Sequence, residues 1–128
     1  MEYKVCIPNS VKKDIEEIIE YYLNDRPEYA KKIFELLFER INSLKSFPNK
    51  GRIVPELLEY NINEYREILE SYWRIIYRID NDMVEIFTVI DARRNVQDLL
   101  VEKLKRKFAV LIMSFMKTQE MLPLIKKS

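Results

Sequence analysis

Residues 65–95, YREILESYWRIIYRIDNDMVEIFTVIDARRN, constrain the fold more than any other part of the chain. Apolar and polar side chains alternate along residues 72–79, as expected for a strand with two different faces. Residues 83–90 are almost wholly apolar, which favours an internal strand covered on both faces. Residues 80–82, DND, lie between these two strands and are typical of a tight turn. Together with a strand at residues 65–69, this stretch predicts three consecutive antiparallel strands.

The region before these strands predicts one short strand and two helices. Residues 3–7 (YKVCI) are strand-like and end at Pro8, after which Asn9 or Ser10 is predicted to cap a helix. Apolar residues then recur at helical spacing through residues 11–23. The second helix has the strongest helical periodicity in the chain, with one apolar stripe: Ala30, Ile33, Phe34, Leu37, Phe38, Ile41 and Leu44.

The ends of the second helix are also marked in the sequence. Asp25 and Glu28 have the spacing of a capping box, with Pro27 in the tolerated first turn. Phe47 precedes Pro48, and a residue before proline is displaced from the helical region, so the helix ends there. The short connection between the two helices predicts an antiparallel helix hairpin whose apolar stripes pack on the sheet.

The remaining segments complete an α+β fold of order βααβββα, a helix hairpin packed on a small antiparallel sheet with a C-terminal helix and tail. Residues 48–52 form a loop that holds the sole glycine, and residues 57–60 are predicted as a short edge segment. Residues 96–107 predict a basic, amphipathic helix. The apolar run at residues 108–116 is too short to span a bilayer. We therefore predict a domain at residues 1–107 and a tail at residues 108–128, docked on the domain or involved in association.

Composition excludes several classes of site. The chain has no histidine and one cysteine, Cys6, so a histidine base, a histidine metal ligand and an intrachain disulfide are excluded. We predict no metal and no cofactor. The formal net charge of +1 provides no global attraction to nucleic acid, so such binding would need a local patch. The N-terminus, MEYKVCIPNS, lacks the basic segment followed by an apolar segment that a signal peptide has. This predicts a cytoplasmic protein without membrane association.

Cationic side chains follow the predicted strands and the loop before them. Arg74 and Arg78 are predicted to share one face, because side chains two apart on a strand point the same way. Converging guanidinium groups suit phosphate and the charge of a phosphodiester transition state. The same cations could instead pair with nearby carboxylates, and the pattern leaves both readings open. The cations are Lys50, Arg52, Arg66, Arg74, Arg78, Arg93 and Arg94, and the carboxylates are Glu56, Glu59, Glu64, Glu67 and Glu70.

Aromatic side chains accompany these cations. Aromatic rings beside arginines can stack on nucleobases. The simpler interpretation is that they form strands and pack in the core or at an edge. The residues concerned are Tyr60, Tyr65, Tyr72, Trp73 and Tyr77.

The ordered set of motifs resembles the RelE/ParE superfamily of bacterial toxins from type II toxin–antitoxin systems. The matching pieces are LKSFP and GR in the first half, YREI and YWRIIYRI in the first two strands of the sheet, the apolar strand at residues 84–90, and DARRN after it. The resemblance covers residues 1–107 in its order of elements. It implies a growth-inhibiting toxin of the plasmid-stabilisation type, held inactive by a cognate antitoxin that lays a helix or strand across the hairpin and sheet.

The superfamily has two target classes. RelE-like members cut messenger RNA on the ribosome with several basic residues, to which Lys50 or Arg52, Arg66 and Arg93 correspond as catalytic candidates. Their C-terminal tyrosine falls near Leu99 here, and the histidine of many relatives is Asp91. These departures favour the ParE-like class, which poisons DNA gyrase without chemistry of its own, and leave the question of catalysis open.

Arg74, Arg78 and Arg94 are then candidates for binding the target or a phosphate, while the sequence does not identify antitoxin-binding residues. The alternatives are a ribosome-dependent mRNA endoribonuclease and an inactive antitoxin-binding module, and a homodimer is left open.

Overall fold

The computed structural model describes residues 2–120 and has the predicted α+β class, with a five-stranded mixed sheet. Residues 1–94 and the region from residue 95 onward form two compact units. The elements of the first unit are β1 (Lys4–Cys6), α1 (Asn9–Leu23), α2 (Pro27–Ser43), a 3-10 turn (Pro48–Lys50), β2 (Arg52–Ile53), α3 (Pro55–Leu58), β3 (Tyr65–Glu70), β4 (Trp73–Asp80) and β5 (Met83–Asp91). The second unit contains α4 (Val96–Glu120).

The sheet has the strand order β1-β5-β4-β3-β2. The three predicted strands form an antiparallel β3-β4-β5 meander, and β5 is internal as predicted because it pairs with β4 on one side and with β1 on the other. The β1–β5 pairing is parallel, which the sequence pattern did not indicate. The predicted edge segment at residues 57–60 is wrong. Pro55 begins the short helix α3 instead, and the edge strand is β2, nearer the glycine.

Both hairpins of the meander turn on residues in the left-handed region of backbone space. Ser71 has a φ of 57° between β3 and β4, and Asn81 has a φ of 56° between β4 and β5. Asparagine tolerates this conformation better than most residues, so the turn predicted at residues 80–82 is confirmed. Serine has no such preference, so the residue type does not predict the turn at Ser71.

The predicted helix caps are wrong at both helices of the hairpin. The N-cap of α1 is Pro8, whose carbonyl oxygen accepts from the backbone N–H groups of Val11 and Lys12, so Asn9 and Ser10 already lie inside the helix. The N-cap of α2 is Arg26, because Pro27 sets the first helical position, and no side chain caps this end. The capping box predicted for Asp25 and Glu28 therefore does not form.

The helix hairpin covers one face of the sheet, which confirms the prediction. The core joins apolar side chains of α1 and α2 to those of β3, β4 and β5, and its members include Val11, Ile33, Leu37, Ile41, Leu44, Ile68, Trp73, Ile75, Tyr77, Val84, Ile86 and Val89. The stripe predicted on α2 is only partly buried. Phe34 is 48% exposed and Phe38 is 54% exposed, and their rings stack on each other with centroids 6.0 Å apart.

The second unit is a single helix over the described residues. Its first turn is capped by Asn95, whose side-chain oxygen accepts from the backbone N–H of Asp98 at 3.2 Å. The helix continues to Glu120 without a break at the predicted boundary between residues 107 and 108. Residues 121–128 of the predicted tail lie outside the described residues. Within the part that is described, no helix has the length and apolar character needed to cross a membrane.

Candidate functional site

Glu67 lies at the centre of a charged network on β3. Its side chain is fully buried, and its carboxylate accepts from Nε of Arg74 at 2.5 Å and from Nε of Arg52 at 2.6 Å. Arg74 is also buried, and its two terminal nitrogens bind the carboxylate of Glu56 at 2.6 and 2.7 Å. Two arginines and two carboxylates thus neutralise each other, and a guanidinium bound in this bidentate way is held rigidly. We call these four residues the Glu67 network.

The strand register explains why these residues meet. Glu67 is directly opposite Arg52 on β2. Arg74 is opposite Leu69, which is two residues from Glu67 and therefore points to the same face. The hydrogen bonds from Arg74 hold the pKa of the Glu56 carboxyl below its ordinary value, and the Glu56 carboxylate raises the pKa of Arg74. Glu56 and Arg74 therefore keep their charges at neutral pH.

Arg66 lies on the opposite face of the sheet from Arg74. It is opposite Tyr77 in the register. It is also three residues from Leu69, the partner of Arg74, and side chains an odd number of residues apart on a strand point to opposite faces. Its guanidinium donates to the carbonyl oxygen of Gly51 at 2.8 Å. Arg66 and Arg74 therefore do not converge, because alternation places their side chains on different surfaces.

The loop before β2 is fixed by Tyr77. The buried hydroxyl of Tyr77 donates to the carbonyl oxygen of Pro48 at 2.6 Å and accepts from the N–H of Gly51 at 3.0 Å. Burial raises the pKa of this hydroxyl. A Cβ at position 51 would collide with the Tyr77 hydroxyl and would lie 2.6 Å from the carbonyl oxygen of Glu67. Close approach, rather than an unusual φ, explains the one glycine of the chain.

Lys50 contacts the end of α2 rather than the arginines of the sheet. Its Nζ donates to the hydroxyl of Ser43 at 2.5 Å, and that hydroxyl donates to the carbonyl oxygen of Arg40. Burial, assisted by the positive charge of Arg40, lowers the pKa of Lys50. Arg40 and Ser43 could not be singled out from the sequence, since both occur in an ordinary helical pattern whose polar positions carry no further signal.

The end of β5 carries a second, exposed ion pair. The carboxylate of Asp91 accepts from Nε and Nη2 of Arg93 at 2.9 and 2.7 Å, and also from the backbone N–H of Arg93. The guanidinium of Arg93 lies over the ring of Tyr72, 4.2 Å from its centroid. The hydrogen bonds from Arg93 lower the pKa of Asp91. Arg94 is exposed beside this pair and contributes to the same shift.

The predicted site residues therefore occupy separate places. Asp91 is opposite Trp73 on β4, whereas Arg66 is opposite Tyr77, four residues further along. At about 3.3 Å per residue, this offset alone is roughly 13 Å. Arg78 shares the face of Arg74 as predicted, but it pairs with Glu85 at 3.2 Å and with Asp80 at 3.6 Å. The alternative interpretation, pairing with glutamates, is right for Arg74 and Arg52.

The predicted aromatic group is similarly divided. Tyr65, Trp73 and Tyr77 are buried, as the packing interpretation expects, while Tyr60 and Tyr72 are about half exposed. The indole N–H of Trp73 is buried without a hydrogen-bond partner in the described part of the chain. Trp73 also lines an open pocket of about 270 Å³ between α2 and the β3–β4 turn, together with Tyr29, Lys32, Ile33, Leu36, Glu70 and Ser71. Residues 2–120 contain no group of carboxylate, thiol or imidazole side chains arranged to hold a metal ion.

The sequence also matches a protein-family model. A family model described as the ParE toxin of the type II toxin–antitoxin system parDE matches residues 5–96. The matched region includes the helix hairpin, the sheet except Lys4 at its first position, the Glu67 network and the Asp91–Arg93 pair. No curated protein matches the sequence.

Among the solved structures compared, those with TM-scores above 0.5 share the fold. The chromosomal ParDE toxin–antitoxin system of P. aeruginosa contains a chain with 18% identity and a TM-score of 0.60, and the match covers 72% of this chain and 98% of that one. A mutant of the E. coli toxin RelE in the free state has 16% identity and a TM-score of 0.55, covering 83% and 98%. A chain of the RelBE2 toxin–antitoxin complex of Mycobacterium tuberculosis has 19% identity and a TM-score of 0.49, covering 71% and 99%.

Proposed function

Since this chain belongs to the ParE toxin family of type II toxin–antitoxin systems, we propose that it inhibits growth by binding a protein target, DNA gyrase, and that a cognate antitoxin holds it inactive. The family membership makes it a toxin of such a system. The choice of target rests on the state of its cationic side chains.

The observation that carries this choice is that the cations are already bound by protein groups and lie apart. A nuclease that cuts a phosphodiester needs several cations aimed at one phosphate and a group able to transfer a proton. Here Arg74 is neutralised by Glu56 and Glu67, and Arg66 donates to backbone carbonyl oxygens. The Tyr77 hydroxyl is buried, and both of its hydrogen bonds hold the loop in place. These features favour a binding function over phosphodiester chemistry.

Asp91 supports the same conclusion. Its carboxylate binds Arg93, and its lowered pKa keeps it ionised at neutral pH. This ionised carboxylate offsets the positive charge of Arg93 that would otherwise attract a phosphate. The exposed guanidinium of Arg93, supported by the ring of Tyr72, instead suits a protein interface, where arginine and tyrosine are enriched among the residues that dominate binding.

We assign the target contact to Arg93 and Arg94. The test is inhibition of DNA supercoiling by purified gyrase, with the wild-type chain and with an Arg93→Ala, Arg94→Ala double variant. The wild type should inhibit supercoiling and the double variant should lose that inhibition while keeping its fold. Lys31→Ala on α2 is a matched control, because it also removes an exposed cation. A wild-type chain that neither binds gyrase nor affects supercoiling would refute the proposal.

The antitoxin surface is assigned to the outer side of α2. The exposed Phe34–Phe38 pair and the pocket beside Trp73 offer apolar surface that an amphipathic helix can cover. Phe34→Glu with Phe38→Glu should weaken antitoxin binding without affecting gyrase inhibition. Unchanged antitoxin affinity in a titration would show that the antitoxin binds elsewhere.

One observation favours a second candidate, a RelE-like ribosome-dependent endoribonuclease. Lys50 has a lowered pKa, a property of lysines that transfer protons near neutral pH. In that case Arg66 and Arg93 would bind the phosphate, and Lys50 or Arg52 would assist the leaving oxygen. Mapping transcript ends after induction separates the candidates, since intact messages during growth arrest exclude cleavage. Absence of any growth arrest on expression without a partner would instead support an inactive antitoxin-binding module.

A further inference from the structure

Residues 108–116 of α4, which we call the apolar helix segment, expose an unusual amount of apolar surface. Seven large apolar side chains of this segment are between 55% and 64% exposed: Phe108, Val110, Leu111, Ile112, Met113, Phe115 and Met116. If a fully exposed side chain of this size offers about 170 Å², the segment exposes on the order of 700 Å². The largest apolar patch on a typical monomer is about 300–600 Å². A covering surface is therefore expected.

The exposed side chains surround the helix instead of forming one stripe. Successive residues of an α-helix are about 100° apart around the axis. Leu111 and Met113 are therefore on nearly opposite sides, and Val110 and Ile112 form a second opposite pair in a different direction. A helix that is apolar all round is stable when it is surrounded on several sides. One partner helix covers about half of such a surface.

The apolar helix segment also lies outside the part of the chain that the family shares. The family model ends at residue 96. The structure from P. aeruginosa is matched over 98% of its length by only 72% of this chain. The segment therefore belongs to the additional part of this chain, and the proposed toxin function does not account for it.

The charges beside the segment restrict how copies of it can pack. Lys103, Lys105, Arg106 and Lys107 precede it directly, and Lys117 follows it. Parallel packing would place two such clusters side by side, about 10 Å apart. Antiparallel packing centred on Ile112 would separate the clusters by about 21 Å, since the helix rises about 1.5 Å per residue, and would place one cation, Lys117, beside Lys107 of the other copy. The distance between the clusters is more than twice the Debye length at physiological salt, so repulsion between them is largely screened.

The area decides how many copies are needed. A two-helix contact would bury about 350 Å² of the segment in each copy, well below the roughly 800 Å² per partner of a stable interface. In a four-helix bundle with antiparallel neighbours, each segment contacts two others and buries most of its apolar surface. We propose that the apolar helix segment is a self-association surface that joins four copies of this chain through antiparallel α4 helices.

Oligomeric mass tests this proposal on the full chain. Light scattering after gel filtration should give about four times the chain mass of 15.6 kDa. Leu111→Lys with Phe115→Lys should give the mass of one chain. Phe34→Lys with Phe38→Lys is the matched control, because it replaces two exposed apolar side chains on α2 and should leave the wild-type mass unchanged.

Three outcomes would overturn the proposal. The first is a wild-type chain that is monomeric at about 100 µM, far above the concentrations at which stable interfaces form. The second is a control variant that dissociates together with the α4 variant. The third is a monomer that floats with phosphatidylserine vesicles but not with phosphatidylcholine vesicles, which would identify a lipid surface as the partner of the basic and apolar side chains.

Cysteine cross-linking tests the helix direction. In a Cys6→Ser background, Ile112→Cys places a thiol near the centre of the contact and should give disulfide-linked dimers under oxidation. Arg106→Cys places the thiol at one end, where antiparallel neighbours keep equivalent residues apart, so this variant should remain monomeric on a non-reducing gel. Efficient cross-linking of Arg106→Cys would contradict the antiparallel arrangement.

Discussion

The Glu67 network and the Asp91–Arg93 pair use the same chemical groups in two different settings. Arg74 is 6% exposed and binds two carboxylates, one of which, Glu67, is 2% exposed. The side chain of Arg93 is 56% exposed and binds one carboxylate. Breaking a buried ion pair leaves an uncompensated charge in a poorly solvated place, whereas water replaces the partner of an exposed one. The first arrangement thus holds the sheet and its edge together, and the second leaves a guanidinium available to a partner.

Replacing Arg74 should have the largest effect on stability. Arg74→Met keeps an unbranched apolar stem but leaves Glu67 with Arg52 as its remaining charged partner, so we expect a loss of about 3–5 kcal/mol in the free energy of unfolding. Urea unfolding followed by circular dichroism measures this loss. Arg94→Met is the control, because it replaces an exposed arginine and should change stability by less than about 0.5 kcal/mol.

A small effect of Arg74→Met would remove the distinction between the two ion pairs. If the variant loses less than about 1 kcal/mol, the network behaves like a surface ion pair. Gyrase inhibition by the folded variant would then show whether Arg74 acts in target binding instead.

The outcome at these arginines shows how far the sequence alone could be used. Alternation along β4 correctly placed Arg74 and Arg78 on one face. Convergence across strands depends on register, and register is set by hairpin turns such as the one at Ser71, whose residue type carries no clear signal. Because Arg74 pairs with Leu69, which is three residues from Arg66, the two arginines point to opposite faces, and no pattern within a single strand contains that information.

The other differences between the predicted and the observed fold also arise where the structure depends on more than a local sequence pattern. The helix hairpin was predictable because its apolar periodicity extends over many residues, whereas its caps depend on which residue begins each helix. The strand β2 has only two residues, Arg52 and Ile53, which is too short for a periodic pattern. The parallel pairing of β1 with β5 joins residues far apart in sequence, so no local feature predicts it. The Asp91–Arg93 pair, in contrast, is local, and both members were singled out from the sequence, Asp91 as a departure from the family and Arg93 as a candidate site residue.

The loop before β2, which the Tyr77 hydroxyl holds in place, gives the next prediction. Tyr77→Phe removes the hydroxyl that bonds Pro48 and Gly51 and leaves two backbone groups without that partner, so we expect a loss of about 1–3 kcal/mol in the free energy of unfolding. Gly51→Ala should cost a similar amount, about 1–3 kcal/mol, because its Cβ collides with the same hydroxyl. Chemical unfolding of both variants measures these losses.

The double variant separates the two contributions. Without the hydroxyl, the Cβ at position 51 still meets the carbonyl oxygen of Glu67 but has one collision fewer. The cost of Gly51→Ala should therefore be smaller in the Tyr77→Phe background than in the wild type. Strictly additive costs would show that the hydroxyl does not limit the space at Gly51.

The pH dependence of stability provides a milder test of the Glu67 network. Arg74 lowers the pKa of Glu56 below its ordinary value of 4.5 in the folded state, so the unfolded chain binds more protons than the folded one in acid. The contribution of Glu56 is present above pH 4.5 and is lost as the pH falls toward its lowered pKa. Glu56→Gln should therefore show a shallower decline of unfolding free energy below pH 4.5 than the wild type. Identical slopes would mean that Glu56 titrates equally in both states.

Arg93→Ala should have the smallest effect on stability, although it changes the local electrostatics most directly. Arg93 holds the pKa of Asp91 below its ordinary value of 3.8 through two side-chain hydrogen bonds. Removing them should move the pKa of Asp91 upward, which an NMR titration of the side-chain carboxyl measures, while the urea midpoint changes little. Arg93→Lys keeps the charge but not the bidentate geometry, so it should give an intermediate pKa. If Arg93→Ala instead destabilised the chain as strongly as Arg74→Met, exposure would not separate the two ion pairs, and Arg93 would have to be regarded as part of the framework rather than as a group available to the target.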